Sequence, residues 1–169
     1  MTDALRRSAP IELSRDPRFA GRVRRLAATS VIALGLIWAL ASLTLQVPSI
    51  GRLALLAGWL LMPAVLVASL HEPRLRYLLV LPSASVTLAL AAIVAWWLPP
   101  HPVAAAGWLL ITVGVALGGL MGLWFWYRVV PVPAGLDAPF SRGRLGLIGL
   151  HVALIVAGIA LAAVPTTIG

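Results

Sequence analysis

The chain has 169 residues, of which 61% are hydrophobic and 11% charged, where a typical soluble domain carries about 25% charged residues. Its formal net charge is +8, all thirteen of its cations are arginines, and it has no cysteine. These totals exclude disulfides, thiolate metal sites, iron–sulfur clusters and covalently attached c-type haem, and the long uncharged runs place the chain among polytopic membrane proteins. A basic chain can signal nucleic acid, but these arginines flank apolar runs instead of covering a solvated face. They read as topology signals and headgroup contacts, with no nucleic-acid partner.

Residues 1–25 form an arginine-rich cytoplasmic tail, with Arg6, Arg7, Arg15, Arg18, Arg22, Arg24 and Arg25 set against Asp3, Glu12 and Asp16. Asp16-Pro17 has the form of a helix start, with Asp16 as N-cap and Pro17 in the first turn. Arg18, Arg22 and Arg25 then share one face of a helix that runs into the first span. That face is either a patch for anionic lipid or a partner, or a topology signal used once at insertion. The second reading is the more general one, because a positive flank is expected on any first span inserted this way.

The first span is expected at about residues 26–46, with Gly35, Ala39, Ser42 and Gln46 on a narrow inward face. Ala39-Leu40-Ala41 has the spacing of a signal-peptidase site, but the apolar run continues through Leu43 and Leu45, so no cleavage is expected. The second span, about 53–70, carries Pro63, which frees the carbonyl of Trp59 and predicts a kink, either a hinge or gate or, as is more common in membrane helices, a static bend satisfied by its neighbours. The third, about 77–98, presents Ser83, Thr87 and Ala91 as a stripe suited to receive the fourth helix, and Trp96 and Trp97 mark its interface. Pro99, Pro100 and Pro102 make the following turn rigid.

The fourth span, about 103–127, is the expected centre of packing. Gly107, Gly114, Gly118 and Gly122 fall within roughly 80° of arc, with Ala104 and Ile111 in the missing turns. Such a stripe lets another helix approach to backbone contact. The prolines at 131, 133 and 139 argue against a helix in the loop that follows. The fifth span, about 145–164, has a small-residue face of its own in Gly146, Gly149, Ala153 and Ala157, so Gly149 and Ala153 join the expected helix-packing set.

The expected fold is therefore all-α: a polytopic integral membrane bundle of five transmembrane helices filling residues 26–169. Charge sets the orientation. Seven arginines lie in the tail, Arg74 and Arg76 follow the second span, Arg128, Arg142 and Arg144 surround the fourth loop, and Arg52 alone lies opposite. This places the N-terminus inside and the C-terminus outside, in a cell membrane, most simply a bacterial inner membrane.

Chemistry is scarce. No Asp, Glu or Arg lies well inside a span, where ion-coupled carriers keep one. No Walker loop, HExxH or GxSxG is present, and no catalytic or metal site is expected. His151 lies about two turns inside the fifth span and His71 ends the second in the same leaflet, so a bis-histidine haem b between them is the one cofactor reading. The ordinary alternative is a neighbouring carbonyl or hydroxyl for each ring. His101, in the proline-rich turn, reads as solvated. The reading that best fits these absences is a non-catalytic accessory or assembly subunit, without cofactor, among other membrane subunits and anionic headgroups at the inner face. The alternatives are a small channel or permease for a neutral or lipidic molecule, supported by Ser83, Ser85 and Thr87, and then a b-haem or lipid-modifying protein.

Overall fold

A computed structural model of the chain describes residues 17–72, 75, 78–127 and 142–167. Among them are five α-helices and no strand: α1 Pro17–Thr44, α2 Ser49–Ala68, α3 Val80–Trp96, α4 Pro102–Tyr127 and α5 Arg142–Thr167. Four are long and apolar enough to cross a bilayer, and the chain is a helical membrane bundle. Leu43, Leu88, Leu120, Val156 and many other large apolar side chains face outward, a surface that lipid covers at no cost and water does not.

The helix ends follow local chemistry. Pro17 and Pro102 each take the first helical position, where a missing N–H costs nothing. α2 begins at Ser49 and not near 53, because Pro48 (φ −54°) caps it and its carbonyl accepts from the N–H groups of Gly51 and Arg52. Arg52 thus stands in the first turn of α2. Pro63 lies inside an unbroken helix. α3 is shorter than the expected 22 residues: its α-helical part has 17 residues, about 26 Å at 1.5 Å per residue. It follows a 3₁₀ turn at 78–79 and stops at Trp97, just before the Leu98-Pro99 junction that disfavours helix.

Consecutive helices pack side by side, and α1 also touches α5. The five therefore form a closed ring. Its centre is filled by Leu34, Ile37 and Ala41 of α1, Leu55 of α2, Val86, Leu90 and Ile93 of α3, Trp108 and Ile111 of α4 and Ile155 of α5. The inward face of α1 is Val23, Ala27, Leu34, Ile37 and Ala41, at the alternating three- and four-residue spacing of a helix seam. It is not the expected Gly35–Gln46 stripe: Gln46 lies beyond the helix end and is exposed. Gly35 instead makes room for Trp59, whose indole carbons would lie 3.1 Å from any Cβ placed there.

With no water in the surroundings, side-chain polar groups turn to backbone. Six hydroxyls bond back into their own helices, among them Thr87 Oγ1 to Ser83 O at 2.8 Å and Thr112 Oγ1 to Trp108 O at 2.9 Å. Other side chains cross between helices. Trp59 Nε1 donates to Val31 O at 2.8 Å, Ser85 Oγ to Ala54 O at 3.1 Å, and His151 Nδ1 to Gly114 O at 2.6 Å. One such bond lies on each of the α1–α2, α2–α3 and α4–α5 seams.

Candidate functional site: the glycine seam and its histidine

The closest approach in the bundle is between α4 and α5. The two helices run antiparallel, with Gly107 against Gly158 and Ala162, Ile111 against Gly158, Gly114 against Leu154 and Ile155, and Gly118 against His151. Backbone meets backbone around the Gly107 and Gly158 pair: a Cβ on Gly107 would run into Ala162 N and lie 2.7 Å from Gly158 O, and one on Gly158 would lie 2.8 Å from both Gly107 O and Ile111 N. Only hydrogen fits on either Cα there.

The glycine face of α4 therefore receives α5, not α3. α3 packs through Pro82, Val86, Ala89, Leu90 and Ile93, while Ala91 is exposed and Thr87 bonds its own helix. Gly122 makes no comparable contact, since a Cβ there would have nothing within 4 Å among the described residues. On α5, the face used is Leu154, Ile155, Gly158 and Ala162 with His151. Gly149 and Ala153 lie on the outer side of the helix, with Gly146 and Ala157, and a Cβ on Gly146 or Gly149 would likewise meet nothing among the described residues. The sequence did contain a signal for this choice. An ionisable side chain two turns inside an apolar helix needs a polar partner, so the face holding His151 is the one that turns inward.

His151 is half-buried, and its ring lies over Gly118. A carbonyl oxygen only accepts, so Nδ1 carries the proton in the bond to Gly114, and in the neutral ring Nε2 holds the lone pair. This bond fixes the ring in a notch that exists because position 118 has no side chain. His71 is exposed in the turn after α2, and α1 stands between α2 and α5 in the ring. The two histidines share no groove, so the arrangement does not fit a bis-histidine haem between α2 and α5. His101 is exposed at the start of α4.

The notch makes a quantitative prediction. Gly118→Ala sets a methyl against the His151 ring and strains the bond to Gly114, whereas His151→Ala removes both ring and bond. Interhelical hydrogen bonds in membrane proteins average about 0.6 kcal/mol and reach about 1.7 kcal/mol, so His151→Ala is expected to cost roughly 1 kcal/mol. In the double variant the methyl occupies space vacated by the ring, and the two losses should combine to less than their sum. Thermal denaturation of the four proteins in one detergent measures the coupling, and strict additivity would remove the ring from Gly118.

Of the arginines expected to form an inner patch, Arg22 is half-buried, Arg25 is exposed, and Arg18 lies in the first turn of α1 with its side chain outside the described residues. The tail before Pro17 and the loop from 128 to 141 also lie outside them. No family model, curated protein or solved structure matches the chain.

Proposed function

We propose that the chain is a non-catalytic integral membrane protein that acts as an accessory or assembly subunit, presenting the outer face of α5 to another membrane helix. One observation carries this reading: α5 has small residues on two faces, and the fold uses one. Gly158 and Ala162 close on α4, while Gly146, Gly149, Ala153 and Ala157, at three- and four-residue spacing, remain exposed. In lipid, small residues are favoured where helices meet, because apolar bulk brings no advantage against lipid tails. A second helix can approach this open stripe as α4 approaches the other. Single cysteines placed along α5 test it, and the absence of native cysteine keeps the readout clean: crosslinks to another membrane protein should cluster on Gly149, Ala153 and Ala157.

The transport alternative gains less from the geometry. The hydroxyls that would line a path are engaged, Ser85 with the Ala54 carbonyl and Thr87 with that of Ser83.

The same proposal places the N-terminus inside a cell membrane. Among the described residues Arg18, Arg22, Arg24 and Arg25 at the start of α1 share one end of the up-and-down bundle with Arg142 and Arg144 at the start of α5, Arg52 stands at the other, and this supports the orientation read from the twelve-to-one arginine count of the sequence. Arg18, Arg22 and Arg25 then lie where the headgroups of an anionic inner leaflet are, each gaining on the order of 1 kcal/mol from them. A membrane-impermeant thiol reagent applied to intact cells should label a cysteine added after Gly169 and spare one placed near Asp3. The reverse pattern would invert the orientation.

A further inference from the structure

We propose that the groove between α1 and α2, at the end of the bundle opposite the arginine-rich one, binds one acidic phospholipid. Its phosphodiester would be held at Arg52 and its first acyl segment laid along Leu53, Leu56 and Trp38. The inference rests on the bundle lying in a bilayer and not on the accessory role, so either can fail alone.

The groove has a volume of about 440 Å³ and is lined by Trp38, Ser42, Ser49, Arg52, Leu53 and Leu56. Its polarity is ordered along the helix axis. Ser49 and Arg52 form the rim in the first turn of α2, and Leu56 lies one turn deeper, about 5.4 Å along the helix. Trp38 closes the opposite wall and is held there by stacking on Trp59, with ring centroids 5.7 Å apart and planes 24° apart. Trp59 is itself tied to Val31 O. The wall is preformed. A lipid enters such a groove with its headgroup at the rim and its chain pointing toward the membrane centre, and the exposed Leu43, Ile50 and Leu53 continue the apolar surface beside it.

Charge identifies the headgroup. The Arg52 side chain has no hydrogen-bond or ion-pair partner among the described residues. Among the described residues no Asp or Glu stands at this end, the one described acid, Glu72, following α2 at the other. A lipid phosphodiester would supply the missing counter-ion. The rim is suited to an anion: Pro48 provides no side-chain cap, and of the first N–H groups of α2 the Pro48 carbonyl engages those of Gly51 and Arg52, leaving those of Ser49 and Ile50 beside the Arg52 side chain.

A third observation marks the wall. Ser42 Oγ is buried in the groove-lining helix without a hydrogen-bond partner, whereas six other hydroxyls of the chain bond their own helices. A buried hydroxyl without a partner is unfavourable. A lipid ester carbonyl just below the phosphate would accept from it once the side chain turns toward the groove. A free inorganic anion would satisfy the rim alone and leave Ser42 and the apolar wall unused.

The test uses the full chain in nanodiscs of equal phosphatidylglycerol and phosphatidylcholine, released gently and weighed by native mass spectrometry. Lipid held by the arginines of the other end is common to all variants, so the readout is the difference between them. Wild type should retain one more phosphatidylglycerol than Arg52→Gln, whose occupancy of this site should fall about tenfold, the loss of one charge-assisted hydrogen bond. Arg52→Lys should keep most of it. Ser42→Ala should lower occupancy several-fold and serves as the second variant if Arg52→Gln accumulates poorly. Leu88→Ala, exposed on α3, should change nothing. Equal phosphatidylglycerol retention in wild type, Arg52→Gln and Ser42→Ala would overturn the proposal. So would equal retention of phosphatidylcholine at this site, or release of the lipid by millimolar inorganic phosphate, which would mark a simple anion site.

Discussion

Gly107→Leu and Gly158→Leu should each abolish the folded bundle. At these positions a Cβ would meet the partner helix's backbone, Gly158 O for one and Gly107 O and Ile111 N for the other. Backbone cannot rotate out of the way, so the two helices would have to separate along much of the seam. Overpacking a core against movable side chains costs about 1–3 kcal/mol, and these two variants should exceed that range. Gly118→Leu should be milder, because the obstacle there is the His151 side chain, which can swing out and give up its bond to Gly114. Leu120→Val, on the exposed face of α4, should be within about 0.5 kcal/mol of wild type. Folded yield and melting in detergent read the series. Normal accumulation of Gly107→Leu would mean that α4 and α5 do not meet at this seam.

The second large effect belongs to Trp108, whose side chain is 0% exposed at the centre of the ring. In lipid the water-transfer part of a core deletion falls away, since an apolar group gains little by moving from lipid to protein. The cavity remains. Trp108→Ala opens a void on the order of 140 Å³, and at about 24 cal/mol per Å³ that amounts to about 3 kcal/mol. Trp108→Phe should be far gentler than its lost volume suggests. The indole Nε1 is buried without an acceptor, and removing an unpaired donor returns free energy that offsets the smaller void. Chemical or thermal unfolding of both variants checks the order. A Trp108→Phe variant as unstable as Trp108→Ala would show that Nε1 has a partner, such as an enclosed water.

The helices were legible in the sequence because uncharged runs of about twenty residues admit few other structures. Their edges were less so. Pro48 reads as a loop residue, yet by capping α2 it draws Ser49–Arg52 into the helix and places an arginine at the rim of a groove. Which helix the glycines of α4 face was not legible from small-residue spacing, because α3 and α5 both offer stripes and α5 offers two. Spacing says that a helix can be approached, not by which neighbour. His151 held the missing information, since its need for a polar partner singles out one face of α5. Trp59 shows the same limit: neither its seat on Gly35 nor its bond to the Val31 carbonyl follows from periodicity.

Function was least legible, because the residues that matter for packing, glycine, alanine and tryptophan, carry no chemistry of their own. What the fold adds is the separation of the two small faces of α5, one closed and one open. Single cysteines at each position from Gly146 to Ala160, crosslinked in native membranes with a short thiol reagent, address that separation directly. One discrete adduct with a different membrane protein is expected, strongest at Gly149, Ala153 and Ala157 and weak at Ile148 and Val152, which are exposed but lie off that stripe. Adducts spread evenly over all exposed positions, none at any position, or one at twice the mass of the chain would contradict it.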